Sequence, residues 1–81
     1  MRIVMIGSGY VGLVSGACLA DFGHEVICVD KSTEKVEALE RGEVPIFEPG
    51  LDAIIAHNRV SGRLSFSLDL AGPVANADVV F

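Results

Sequence analysis

Glycines at 7, 9 and 12, in the run Gly7-Ser-Gly9-Tyr-Val-Gly12, and an aspartate at position 30 are the residues whose types and spacing could do chemistry. Each glycine has its own task in a loop that meets a phosphate. Gly7 allows a tight turn, Gly9 lets backbone approach a pyrophosphate, and Gly12 lets a helix pack closely on a strand. A helix opening at Tyr10 and Val11 would aim its unpaired N–H groups, at the positive end of its dipole, toward the anion. Asp30 stands about 20 residues further on, where a carboxylate can accept hydrogen bonds from both hydroxyls of an adenosine ribose. The same charge repels a 2′-phosphate, so the expected cofactor is NAD rather than NADP. A GxGxxG alone is a weak signal, because short glycine spacings arise often by chance. Its weight depends on the elements around it.

Those elements are legible on both sides of the motif. Arg2-Ile-Val-Met-Ile-Gly7 is a short, nearly continuous apolar run with β-branched residues, which suits a strand buried on both faces of a parallel sheet. Residues 10–22 are rich in Ala, Leu, Val and small residues without Pro, and Gly23 follows where a helix needs a left-handed residue to stop. Glu25-Val-Ile-Cys-Val-Asp30 is again apolar and β-branched until its last residue, so Asp30 closes a second buried strand. The glycine loop therefore follows a strand and opens a helix, the context the dinucleotide fingerprint requires. The competing reading is a glycine-tight turn with Asp30 as an ordinary surface residue, and it must treat three coinciding features as accident.

Further along, Ser32 or Thr33 can cap a helix whose Val36 and Leu39 stand three apart, with Gly42 placed to end it and Glu34, Lys35, Glu37, Glu40 and Arg41 on its solvated face. Two prolines in Glu43-Val-Pro-Ile-Phe-Glu-Pro-Gly50 prevent regular helix. A third helix is predicted over about 51–58, with Pro49 in its first turn and Leu51, Ile54 and Ile55 along one side. A third strand over 63–67, a brief helix or turn over 71–77 and the start of a fourth strand at Asp78-Val-Val-Phe81 complete the chain. Helices alternating with apolar strands predict an α/β fold of Rossmann type, a parallel sheet in spatial order 3-2-1-4. Residues 1–81 then read as the N-terminal part of an NAD-binding domain that stops in its fourth strand.

Composition narrows the partners. At 81 residues the chain is at most one small domain, and 51% apolar with 21% charged residues is the balance of an ordinary core. A net charge of −5 with scattered Lys and Arg gives no basic stripe for nucleic acid. The apolar stretch 11–20 is too short to span a bilayer, and no long signal-peptide core is present, so neither a membrane nor export is expected and the location is read as cytoplasmic. Cys18 and Cys28 have no CxxC spacing and no histidine placed to complete a zinc site, so both are expected as buried free thiols and no metal site is expected. His24, after the helix-ending glycine, and His57, late in a helix, are more simply structural than functional.

The stretches MRIVMIGSGYVGLVSGACLADFGHEVICVD, RGEVPIFEPGL and ADVVF resemble the nucleotide-sugar dehydrogenase family, and the resemblance runs over all 81 residues. Within it, GSGYVGLV and PIFEPGL look closest to the members that oxidise UDP-glucose, while the GDP-mannose and UDP-N-acetylmannosamine members share much of the pattern. The resemblance implies an oxidoreductase of nucleotide-sugar metabolism and polysaccharide biosynthesis. Such enzymes oxidise the sugar C6 alcohol to a carboxylate in two hydride transfers to two NAD, through a thioester on a cysteine, giving UDP-glucuronate from UDP-glucose. It also implies a homo-oligomeric parent enzyme. Carried over residue by residue, it marks Gly7, Gly9, Tyr10, Val11, Gly12, Asp30 and Lys35 as cofactor contacts, with Lys35 beside the adenosine ribose. Otherwise Lys35 is an ordinary solvated helix lysine.

The family's catalytic cysteine, its lysine and asparagine partners and its sugar-binding residues are expected beyond position 81, so this segment alone is expected to be inactive. Cys18, among Gly16, Ala17 and Leu19, has no neighbouring base and is expected in the core rather than as a nucleophile. A rival from another class is a regulatory nucleotide-binding module that uses a similar glycine loop and terminal acid without catalysis. PIFEPGL argues against it.

Overall fold

The computed structural model describes residues 1–7, 10–44 and 49–81. Its elements run β1 (Arg2–Ile6), α1 (Tyr10–Asp21), β2 (Glu25–Val29), α2 (Thr33–Glu40), α3 (Leu51–Val60), β3 (Leu64–Ser67), α4 (Ala71–Ala75) and β4 (Val79–Val80). All strand pairings are parallel and the sheet order is β3-β2-β1-β4, as the sequence predicts. In register, Ile3 lies between Val26 of β2 and Val79 of β4, and Val26 in turn faces Leu64 of β3.

Period-two alternation sends Ile3, Met5, Val26, Cys28, Leu64 and Phe66 to one face of the sheet. There they meet Leu13, Ala17 and Ala20 of α1, Val36 and Leu39 of α2, and Leu51 and Ile55 of α3 in one buried cluster. Leu13, Leu39, Ile55 and Leu64 are almost wholly enclosed, and burial of such a side chain contributes about 1.5–3 kcal/mol. On the opposite face, Val4 and Ile27 share a small cavity with Pro73 of α4.

The helix ends follow from local chemistry. Ser32 caps α2, its side chain accepting from the Lys35 N–H at 3.4 Å. The C-terminal ends of α1, α2 and α3 close with the same paired bonds around Gly23, Gly42 and Gly62, each at positive φ. For α1 these are Gly23 N–H to the Ala20 carbonyl at 2.9 Å and His24 N–H to the Leu19 carbonyl at 3.3 Å. α3 opens at Leu51 as the sequence predicts, but Pro49 is not in its first turn. Pro49 lies outside the helix in a turn, because Gly50 at φ 85° takes the capping position and the helix opens at Leu51.

One buried polar residue ties three of these elements together. Asn58 is fully enclosed. Its Nδ2 donates to the Ile54 carbonyl at 2.8 Å and to Asp21 Oδ1 at 3.1 Å, and its Oδ1 accepts from Arg63 Nε at 3.2 Å. The ends of α1 and α3 and the entry to β3 are fixed by that one amide. Among the described residues no helix is long and apolar enough to cross a membrane.

Candidate cofactor site

The site assembles where β1 and β2 end. Parallel register places Ile6 opposite Val29, and the Gly7 N–H donates to the Val29 carbonyl at 2.6 Å, so the first glycine lies alongside the strand end that delivers Asp30. Gly7 has φ 93°, a region where a side chain is strained, and this turn redirects the chain from β1 toward α1. Gly12 answers a different need. A Cβ there would stand 2.6 Å from the Gly7 carbonyl oxygen, so the helix approaches the turn only because position 12 has no side chain. α1 thus begins directly over the end of β1, with the N–H groups of its first turn, unpaired within the helix, at the sheet's C-terminal edge.

Asp30 is half-buried just beyond β2 and is held through both its backbone and its side chain. Its N–H donates to the Ser67 carbonyl of β3 at 3.1 Å, and its Oδ1 accepts from the Ser32 N–H at 2.9 Å. That turn orients the carboxylate before α2 begins. A carboxylate has about four lone-pair sites, so acceptance from Ser32 is compatible with further donors such as ribose hydroxyls. A cavity of about 420 Å³ opens beside it, lined by Ile6, Gly7, Val29, Asp30, Lys31, Leu68 and Leu70. This volume is toward the small end of the roughly 300–1,000 Å³ typical of small-molecule sites and suits a nucleoside-sized part of a larger ligand. A glycine turn, a fixed acid and apolar walls at one sheet edge fit the adenosine half of a dinucleotide.

Of the residues marked by the sequence, Gly7, Gly12 and Asp30 are brought together at this edge. Tyr10 and Val11 open α1 beside them. Gly9 lies outside the described residues, as does most of the PIFEPGL segment, 45–48. Lys35 is exposed in the first turn of α2 and is not among the residues lining the cavity, whereas Lys31 is.

The two cysteines part company. Cys28 is buried in β2, and burial pushes its thiol up to about 12, so it stays protonated near neutral pH. Cys18 was expected in the core, yet it is exposed. The helix turns about 100° per residue, and with Leu13, Ala17 and Ala20 toward the sheet, position 18 points outward.

Sequence reasoning missed Leu68 and Leu70, which follow β3 and complete the cavity wall. The available signal was two large apolar residues in the connection leaving a strand at the same end of the sheet as the glycine loop. It also missed Gly16, where a Cβ would stand 3.0 Å from Cys28 Sγ and 3.4 Å from Met5 Cγ. Gly12 and Gly16, four apart, form one small-residue stripe that lets α1 lie close on the sheet.

A parallel sheet in this order, with a glycine turn after its first strand and an acid after its second, defines a dinucleotide-binding module of the Rossmann type, whose ligands sit outside the carboxyl ends of the strands. The chain belongs to the UDP-glucose/GDP-mannose dehydrogenase family, whose NAD binding domain model matches residues 1–81. It is 63% identical over 81 residues to the UDP-glucose 6-dehydrogenase of Rhizobium meliloti, covering 100% of this chain and 18% of that protein. Among solved structures it resembles a GDP-mannose dehydrogenase from Pseudomonas aeruginosa, with TM-score 0.94 and 47% identity over 100% of this chain and 19% of that one. A UDP-glucose dehydrogenase from Pyrobaculum islandicum gives TM-score 0.89 and 38% identity over 98% of this chain and 18% of that one. The chain therefore spans about a fifth of the length of the relatives it matches.

Proposed function

We propose that this chain is the N-terminal, adenosine-holding part of the NAD-binding domain of a UDP-glucose 6-dehydrogenase, which oxidises UDP-glucose to UDP-glucuronate with two NAD. The observation that carries the sugar assignment is the 63% identity to the Rhizobium meliloti enzyme. Bound NAD supplies a hydride acceptor; what this chain's own residues do is hold and orient it. Gly7, Gly9 and Gly12, with the N–H groups at Tyr10 and Val11, meet the pyrophosphate, Asp30 accepts from the adenosine ribose hydroxyls, and Lys35 lies near that ribose. The nucleophilic cysteine and the sugar pocket belong to the remainder of a longer, homo-oligomeric enzyme of polysaccharide biosynthesis working in the cytoplasm.

The second reading, a GDP-mannose dehydrogenase, is favoured by the TM-score of 0.94 to the Pseudomonas aeruginosa structure. Backbone likeness across the cofactor half does not report on the sugar half, so the identity is the better guide. Both are tested by supplying the full-length protein with NAD⁺ and, in turn, UDP-glucose, GDP-mannose and UDP-N-acetylmannosamine while following NADH absorbance. Two NADH per UDP-glucose is expected, with the other sugars far slower. Preference for GDP-mannose would replace the first reading with the second, and turnover by residues 1–81 alone would refute the placement of the chemistry elsewhere.

A further inference from the structure

α1 carries no basic residue in its last turn and ends on an acid, Asp21. A carboxylate there opposes the helix dipole, whose negative end lies at that terminus, so helix stability alone disfavours it. What Asp21 gains is a partner on another element, because its Oδ1 accepts from Nδ2 of Asn58 at 3.1 Å. Asn58 is itself an amide at a fully enclosed position of α3, where an apolar side chain would ordinarily stand. Two local preferences are broken at one contact.

That contact has a fixed reference in the sheet. Arg63 donates its Nε to Asn58 Oδ1 at 3.2 Å and its N–H to the Asn58 carbonyl at 3.0 Å, and its own carbonyl accepts from the Val26 N–H of β2 at 2.7 Å. Asn58 is therefore held against the strands, and Asp21 against Asn58. Elsewhere α1 meets the sheet differently, through Gly16 and the side chains of Leu13, Ala17 and Ala20 in van der Waals contact. Contact between small and apolar groups fixes how close a helix lies, but it is not directional and resists sliding along the helix axis weakly. A hydrogen bond is directional and does resist it.

We propose that Asp21 and Asn58 are positioning residues for the pyrophosphate of the dinucleotide: their bond sets the axial placement of α1, and with it the N–H groups that open the helix. The inference rests on the NAD-binding reading above and deepens it. α1 has 12 residues and so a length of about 18 Å, and a helix that short moves as a rigid rod. A shift at Asp21 is carried to Tyr10 and Val11, whose N–H groups meet the pyrophosphate in that reading. Hydrogen bonds weaken steeply as their geometry departs from linear, so the phosphates feel a bond made at the opposite end of the helix.

The test uses full-length protein and calorimetric titration with NAD⁺ and NADP⁺, which carry the same pyrophosphate. Asp21→Ala removes the acceptor, whereas Asp21→Asn keeps an oxygen in its place. Asp21 is exposed, and losing its charge relieves the clash with the helix dipole, so the ligand-free melting temperature of both variants should stay within about 2 °C of the unsubstituted protein. Asp21→Ala should weaken both dinucleotides about fivefold or more with the preference between them unchanged, and Asp21→Asn should bind within about twofold of the unsubstituted protein. Unchanged NAD⁺ affinity in Asp21→Ala would overturn the inference. An equal loss in Asp21→Asn would overturn it by tracing the effect to the charge rather than the bond, and an altered preference would do so by moving the effect to the ribose. A loss of affinity that tracks a fall in melting temperature would leave Asp21 a structural role only and overturn it too. No NAD⁺ binding by the unsubstituted protein would overturn the underlying cofactor reading, and this inference with it.

Discussion

Gly12→Ala adds one methyl group where the structure leaves no room. The new Cβ would stand 2.6 Å from the Gly7 carbonyl oxygen and 3.6 Å from its carbon, both backbone atoms of the turn that joins β1 to α1. No side chain can rotate away. Either α1 retreats from the sheet or the turn moves, and the turn is held by the 2.6 Å bond from the Gly7 N–H to Val29. Forcing a methyl group into a packed contact costs about 1–3 kcal/mol, and the better helix propensity of alanine returns at most about 1 kcal/mol. The net is about 1–2 kcal/mol of destabilisation, or roughly 5–15 °C in melting temperature for a domain of this size. Gly16→Ala is the control. Its Cβ would stand 3.0 Å from Cys28 Sγ, a side-chain atom that can shift, so the loss should be clearly smaller. Melting curves of the unsubstituted protein and the two variants, without ligand, compare them. If Gly12→Ala melts at or above the unsubstituted protein, close approach of α1 to the Gly7 turn is not what position 12 provides.

Two further outcomes follow from buried groups. Cys28 has its thiol raised from 9.0 to about 12 by burial, so the folded state keeps a proton that the unfolded chain loses. Its stabilisation is complete below pH 9 and falls as pH rises toward 12, by up to about 4 kcal/mol, so urea midpoints should drop steeply over that range and less steeply in Cys28→Ala. Asn58→Ala removes an amide that bonds Asp21, the Ile54 carbonyl and Arg63, and unfolding should show a loss of about 2–3 kcal/mol, against little change if the network is incidental.

Much of the fold is written locally. Strands such as Arg2–Ile6 and Glu25–Val29 announce themselves because a strand buried on both faces must be apolar throughout, and Gly23 and Gly42 mark helix ends because few other residues adopt the left-handed conformation the closing bonds require. The glycine turn at Gly7 and the acid at Asp30 are legible for the same reason, since spacing along the chain fixes both. What escaped depends on contacts distant in sequence. α1 is apolar nearly all round, so its pattern does not say which face meets the sheet, and Cys18 lies on the outward face rather than in the core. Gly16 matters through β2, and Leu68 and Leu70 matter only because the connection after β3 folds back toward the ends of β1 and β2. Pro49 suits a first helical turn, but Gly50 takes the cap and leaves Pro49 in the turn before the helix.

The central claim is that Asp30 reads the adenosine ribose beside the Gly7 turn, and titrating NAD⁺ and NADP⁺ by calorimetry against the unsubstituted protein and Asp30→Ala tests it most directly. Asp30→Asn serves as a companion that retains an acceptor for the Ser32 N–H, so that loss of the local turn is separated from loss of charge. Charge-assisted hydrogen bonds contribute about 1.5–3 kcal/mol, so NAD⁺ should bind Asp30→Ala roughly one to two orders of magnitude more weakly. NADP⁺ should lose much less, because the substitution also removes a charge that repels its 2′-phosphate, and the preference for NAD⁺ should narrow. An unchanged preference ratio in a variant that still folds would contradict the claim.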